Sequence, residues 1–210
     1  MKIDKLPIGK FDENIYVLHD QGHVLIIDPG RFAEKITEKI AQDEIVDGVL
    51  LTHGHYDHTD AADDLCEMYG CPLYIHALDY PLVDPKLKYP VEASAPVYTK
   101  PVFFDEGTNN IGIFQVTVYH TPGHTAGSVL IQYRDQLFTG DTLFAGTIGR
   151  TDLFSGSETE MAESLREIIY FDPGLKILPG HGPNSTIARE LVSNYYLSAV
   201  ARYQNPDSFR

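Results

Sequence analysis

Short apolar runs separated by turn residues set the rhythm of the first third of the chain. Residues 15–18 and 24–27 read as two strands, with Gln21-Gly22 supplying the turn between them. Phe32, Ile36 and Ile40 recur every four positions and predict an amphipathic helix. Residues 49–51 predict the next strand. Ala62, Leu65, Cys66 and Tyr69 then share a helical face, and residues 72–75 read as a further strand.

The pattern loosens between residues 81 and 112, where Pro81, Pro85, Pro90, Pro96 and Pro101 interrupt any periodicity. A long irregular connection of this kind is either a lid over a binding site or a passive surface excursion. Alternation returns at Phe114, Val116 and Val118. A hairpin is predicted from residues 128–133 and 137–139 around Arg134-Asp135-Gln136. Ser157-x-x-Glu160 forms a capping box ahead of a helix whose apolar face is Met161, Leu165, Ile168 and Ile169. Residues 175–178 predict a strand, and Ile187, Leu191 and Tyr195 one last helix, with Tyr195, Tyr196 and Tyr203 packed against it. In both halves an amphipathic helix leads into a strand that ends in a glycine-flanked histidine, His53 and then His181. Two similar halves would bring such strand ends to one shared edge.

The chemistry lies at those ends. The strand before Thr52 runs into His53-Gly54-His55-Tyr56-Asp57-His58, three histidines and an aspartate within six positions. Histidine and aspartate are poor core residues, and crowding them behind a buried strand is costly unless their lone pairs are shared. A divalent metal shares them, since imidazole nitrogens and carboxylate oxygens are its usual ligands. An extended backbone through His53 and His55 would place both on one side, whereas a helix start would aim Asp57 and His58 elsewhere. Two neighbouring ions are therefore expected. His124, after a Pro-Gly turn, Asp141, after Gly140, and His181, between two glycines, complete the candidate set. His76 and His120 are read as structural or solvent-facing, and Cys66 and Cys71 as buried free thiols.

Composition narrows the partners. A formal net charge of −14 over 210 residues argues against nucleic acid and against anionic membranes. No apolar run approaches transmembrane length, and Met1-Lys2-Ile3-Asp4 opens no signal peptide, so the cytoplasm is the expected address. A small-molecule substrate is expected. The oligomeric state has no signature in the sequence.

The string His53-x-His55-x-Asp57-His58, followed by His124, Asp141 and His181, resembles the ligand pattern of the metallo-β-lactamase superfamily. The resemblance extends from about Asp28 to His181. Within the superfamily the chain looks like the glyoxalase II branch and the single-domain hydrolases beside it. Aspartate rather than cysteine at position 141, and Gly140-Asp141-Thr142-Leu143-Phe144 leading on to Gly149-Arg150-Thr151-Asp152, carry that placement. The resemblance implies an α+β fold, a four-layer αββα sandwich, formed by residues 1–210 as one domain. It implies two divalent ions, zinc in the first instance, with iron or manganese as alternatives. His53, His55 and His124 would hold one ion, Asp57, His58 and His181 the other, and Asp141 both. Asp28 resembles an aspartate that steadies the first motif. A hydroxide shared by two ions about 3.5–4 Å apart would attack a thioester such as S-lactoylglutathione, and Asp57 would steer it and take its proton.

Two departures from the branch stand out. Glyoxalase II carries a helical C-terminal domain, whereas 29 residues follow His181 here (210 − 181). Arg150 stands near the position of a substrate-binding lysine, but Thr151-Asp152 replaces the aromatic pair. Arg150 would grip a substrate carboxylate or pair with Asp152. The competing readings are a mononuclear-iron persulfide dioxygenase, a lactonase, and a metal-binding module of the same fold without turnover.

Overall fold

The computed structural model describes residues 1–9, 12–87 and 91–204. The first half contributes β1 (Lys2–Ile8), β2 (Glu13–Asp20), β3 (His23–Ile27), α1 (Ala33–Thr37), β4 (Ile45–Leu50), α2 (Tyr56–Thr59), α3 (Ala62–Tyr69), β5 (Leu73–Ile75), α4 (Tyr80–Val83) and β6 (Val102–Phe103). The second half adds β7 (Gly107–Ile111), β8 (Phe114–His120), β9 (Val129–Tyr133), β10 (Gln136–Gly140), β11 (Leu143–Phe144) and β12 (Thr147–Ile148). It closes with α5 (Glu158–Ile168), β13 (Lys176–Pro179), β14 (Ser185–Thr186), α6 (Ile187–Ser193) and α7 (Tyr195–Gln204).

Two six-stranded sheets form, in the orders β1-β2-β3-β4-β5-β6 and β14-β13-β10-β9-β8-β7. Each mixes antiparallel hairpins with parallel pairs, β3–β4, β4–β5 and β5–β6 in the first and β10–β13 in the second. Alternation along the strands explains the layering, since neighbouring side chains leave opposite faces. On β2, Tyr16 and Leu18 point between the sheets, where they meet Phe114, Val116, Phe138 and Leu178. Ile15 and Val17 point outward and pack beneath Ile36 of α1 and Leu65 and Cys66 of α3. The outward side chains Leu130, Leu137 and Ile177 of the second sheet are covered by Met161, Leu165 and Ile168 of α5 together with Leu197 of α7. Three apolar seams thus separate four layers, the αββα sandwich. No helix among the described residues is long and apolar enough to cross a membrane.

Several local expectations are corrected. Phe32 does not join the apolar face of α1: it caps the helix with φ of 55° and is 45 % exposed, leaving Ile36 as the buried anchor. The stretch 81–112 is not wholly irregular, because β6 and β7 extend the two sheets there. The last helix is two. Asn194 interrupts it, and its side-chain Oδ1 accepts the N–H groups of Tyr196 at 3.1 Å and Leu197 at 3.2 Å to start α7. Tyr195 and Tyr203 are then turned out to solvent, 74 % and 83 % exposed, rather than packed, and Tyr196 is 44 % exposed. The Ser157 cap is present, its hydroxyl accepting the Glu160 N–H. His76 and His120 stack on each other with ring centroids 4.2 Å apart, and Cys66 and Cys71 are buried free thiols.

Candidate metal centre

β3, β4, β8, β10 and β13 all end at one edge of the sandwich, and the chain after each of them carries a candidate residue. The sheets are stitched together there. Val129 donates its N–H to the Thr52 carbonyl at 2.9 Å, and Asn14 to that of Gly180 at 2.7 Å. The Asn14 amide also bonds Pro179 and Gly182, so the turn around His181 is held from below.

The seven predicted residues converge. His53, His55 and His124 each offer a nitrogen, all within 4.8 Å of one another, and Asp57, His58 and His181 form a second such group. His55 Nδ1 lies 2.9 Å from His124 Nε2. Asp141 stands between the groups, with Oδ2 3.6 Å from His124 Nε2 and 3.4 Å from His181 Nε2, and Oδ1 3.4 Å from His58 Nε2. Asp57 Oδ2 is 3.5 Å from His181 Nε2. The strand does not continue through His53 and His55, which lie in the loop after β4, whereas Asp57 and His58 do fall at a helix start, in the four-residue α2. Gly180 is required by this crowding, since a Cβ there would lie 2.2 Å from Asp141 Oδ1.

Neighbouring groups fix which nitrogen of each ring faces inward. Asp28 accepts the Thr52 N–H at 2.7 Å and the Thr52 hydroxyl at 2.6 Å. With its proton committed, Thr52 Oγ1 accepts from His53 Nδ1 at 3.1 Å. His58 Nδ1 donates to Asp28 at 3.1 Å, and His124 Nδ1 to the Arg150 carbonyl at 2.7 Å. Nε2 of His53, His58 and His124 therefore faces into the centre in each ring, the orientation that metal-binding imidazoles receive from such partners.

Burial, followed by the neighbouring imidazoles, holds His53 well below its ordinary pKa and His55 down to about 3, so both keep free lone pairs at neutral pH. Burial acts on His58 in the same direction but is outweighed by Asp141, Asp28 and Asp57, which raise it to about 9. Burial also opposes the charge on Asp141, yet His58, His181 and His124 pull it well below the usual carboxylate range. His53 Nε2, His55 Nε2, His58 Nε2 and Asp141 Oδ1 are buried without a hydrogen-bond partner. Buried polar atoms left unpaired are expensive, and five imidazoles with two carboxylates are the donor set of a zinc, iron or manganese site.

Two residues escaped the sequence reading. Asp79, fully buried, accepts the Gly54 N–H at 2.7 Å, the Gly127 N–H at 2.6 Å and the Thr125 hydroxyl at 2.8 Å. It thus ties the His53–His55 loop to the His124 loop. No local motif marks it. Glu13 lies beneath the centre, paired with His181 across a β-bridge, and burial pushes its carboxyl above the ordinary value. A cleft of about 500 Å³ opens over the centre between Tyr56, Glu92 and Ala93 on one wall and Phe144, Arg150 and Leu153 on the other. The proline-rich stretch reaches the cleft at residues 92–94, where Tyr56 donates to the Ala93 carbonyl at 2.9 Å. Arg150 lines this cleft, and its guanidinium is engaged by both carboxylate oxygens of Asp152, at 2.6 and 2.8 Å.

An αββα sandwich with histidines and carboxylates gathered at one strand edge defines a class of metal-dependent proteins. The chain belongs to the metallo-β-lactamase superfamily, whose family model matches residues 8–181. It is 38 % identical to the uncharacterized protein ML0493 of Mycobacterium leprae, over 95 % of this chain and all of that one. It is 30 % identical to the hydroxyacylglutathione hydrolase GloC of Haemophilus influenzae, over 95 % of this chain and 99 % of GloC. Among solved structures, BLEG-1, a B3 metallo-β-lactamase, superposes with a TM-score of 0.82 at 31 % identity, covering 94 % of this chain and 100 % of BLEG-1. TTHA1623 in a di-iron-bound form superposes with a TM-score of 0.77 at 32 % identity, covering 92 % and 99 %.

Proposed function

We propose that residues 1–210 form one metallo-β-lactamase-fold domain that hydrolyses a thioester, with S-lactoylglutathione as the reference substrate. The observation that carries this is the pair of donor groups, each with its ligand atoms within 4.8 Å of one another, sharing Asp141 between them. His53, His55 and His124 would hold one ion, Asp57, His58 and His181 the second, and Asp141 both. Bound there, two divalent ions supply Lewis acidity toward a carbonyl oxygen and an ionised water at neutral pH.

The chain's own residues do the rest. Asp57, the more open of the two carboxylates (19 % against 11 % side-chain exposure), orients the attacking water and takes its proton. Tyr56, Phe144 and Leu153 wall the cleft and limit bulk water. Arg150 contacts an acceptor oxygen of the substrate by exchanging Asp152 for it. Zinc suits the donor set; the di-iron form of TTHA1623 supports iron as the alternative. GloC, named as a hydroxyacylglutathione hydrolase, supports the thioester class.

The test is a panel assay on the metal-loaded protein with S-lactoylglutathione, simple acyl thioesters, acyl lactones, a β-lactam and glutathione persulfide. Thioester hydrolysis that a chelator abolishes is the expected result. Oxygen uptake on the persulfide with one iron per chain would replace the hydrolase by a dioxygenase. Turnover of lactones or β-lactams alone would move the substrate class, and no turnover at all with two bound metals would leave a binding module.

A further inference from the structure

The larger hollow at this edge is not the metal cleft. A cavity of about 740 Å³ lies beside it, under the 148–152 loop and between α5 and α7. Its floor is apolar: Met161 and Leu165 of α5, Val200 of α7 and Ile148 at the end of β12. Tyr195 and Tyr196, an edge-to-face pair with centroids 5.2 Å apart, stand at its side with much of their ring surface open. The metal cleft and this cavity share Gly149 and Arg150 as lining residues, so the two hollows adjoin at these residues. The Arg150 backbone carbonyl also receives His124 Nδ1.

The charges around the cavity select its occupant. Arg150 has one charge to give, to Asp152 or to the substrate's acceptor oxygen, against the two lining carboxylates Asp152 and Glu158, so the lining is net negative either way. A glutathione arm, which carries two carboxylates, meets net negative charge here. An uncharged aliphatic or aromatic arm meets methyl groups, a thioether and two tyrosine rings, and the volume is that of an ordinary small-molecule site.

We infer that this cavity is a specificity subsite for an uncharged apolar arm of the substrate whose reacting carbonyl sits at the metal centre. The inference rests on the hydrolase reading and sharpens it, because it favours neutral acyl or thiol arms over glutathione. Each methylene buried in such a site raises kcat/KM by about three- to fourfold.

The experiment compares N-acetylcysteamine thioesters from acetyl to octanoyl, and thioacetates from methyl to octyl thiol, on wild type, Ala199→Trp and Ala162→Trp. Both substitutions fill the cavity from its helices, and either one that folds is sufficient. Rising kcat/KM with chain length in one series is expected, together with a fall of at least tenfold in the octyl-to-short ratio in the variants. Calorimetry with S-octyl-N-acetylcysteamine, a thioether that cannot be hydrolysed, reads the cavity without turnover, and at least tenfold weaker binding to the variants is expected. No chain-length dependence, or ratios and thioether binding unchanged in folded variants, would overturn the subsite while hydrolysis of the short esters kept the hydrolase reading intact. Thioether binding lost in the variants, with no thioester cleaved by wild type, would instead keep the cavity as a binding site and remove the hydrolase reading.

Discussion

The Asp79 carboxylate accepts the backbone N–H of Gly54 at 2.7 Å, midway between His53 and His55. Its other contacts, Thr125 and Gly127, flank His124 from the far side. One buried carboxylate therefore sets the spacing of three imidazoles from two separate loops. Asp79→Ala leaves the Gly54 and Gly127 N–H groups without an acceptor, at roughly 1–3 kcal/mol for each buried group, while the Thr125 hydroxyl keeps Ser128 Oγ at 2.7 Å. Urea unfolding should show a loss of several kcal/mol, and equilibrium dialysis a weaker first ion. Unchanged metal affinity in a folded variant would show that the two loops hold their geometry without it.

Asp28 plays the corresponding part for His58 and Thr52. Asp28→Asn suits the left-handed backbone at this position (φ 51°) but replaces one acceptor oxygen by a donor. Loss of such a partner typically weakens metal binding or activity about 10–100-fold. Competition with a chelator of known affinity measures this, and the expected loss is in that range with a folded protein by circular dichroism.

Gly149 lies directly over the centre. A Cβ there would fall 1.8 Å from the Asp141 carbonyl oxygen and 3.2 Å from His124 Nδ1. Gly149→Ala must displace the loop, break the His124–Arg150 bond and lower metal affinity. Gly146→Ala, which has nothing within 4 Å, should cost only the left-handed strain of its φ of 82°, about 1–2 kcal/mol. The metal affinities of the two variants, measured side by side, separate steric displacement from backbone strain.

At the opposite end, Asp20 is held below its ordinary pKa first by the Tyr133 hydroxyl, which donates to it at 2.7 Å, against the opposing effect of burial and with help from Arg134. A carboxyl depressed in the folded state stabilises the protein above its unfolded pKa of about 3.9, and that contribution is lost as pH falls through the lower folded value. The difference in urea midpoint between wild type and Asp20→Asn should be full at pH 7 and shrink below about pH 4. A difference that persists at pH 2 would assign the effect to packing.

Much of this molecule is legible in its sequence because few physical solutions fit it. Alternation at Phe114, Val116 and Val118 forces one face inward, and no core tolerates His53, His55 and His58 together without a shared ligand. The edge strand β1 escaped because its residues are mostly half-exposed and alternate weakly. The break between α6 and α7 escaped because apolar periodicity runs through Asn194, although asparagine is a strong helix start. Asp79 was illegible for another reason: its partners lie 25, 46 and 48 residues away, and only the folded chain brings them to it. The apolar cavity is likewise assembled from three segments that have no common motif.

The central claim is that two ions share Asp141, and elemental analysis of the zinc-reconstituted protein tests it most directly. Two zinc per chain are expected in wild type, falling to one in His58→Ala with the second group dismantled. One ion per chain in wild type, unchanged by removal of His58, would contradict the account.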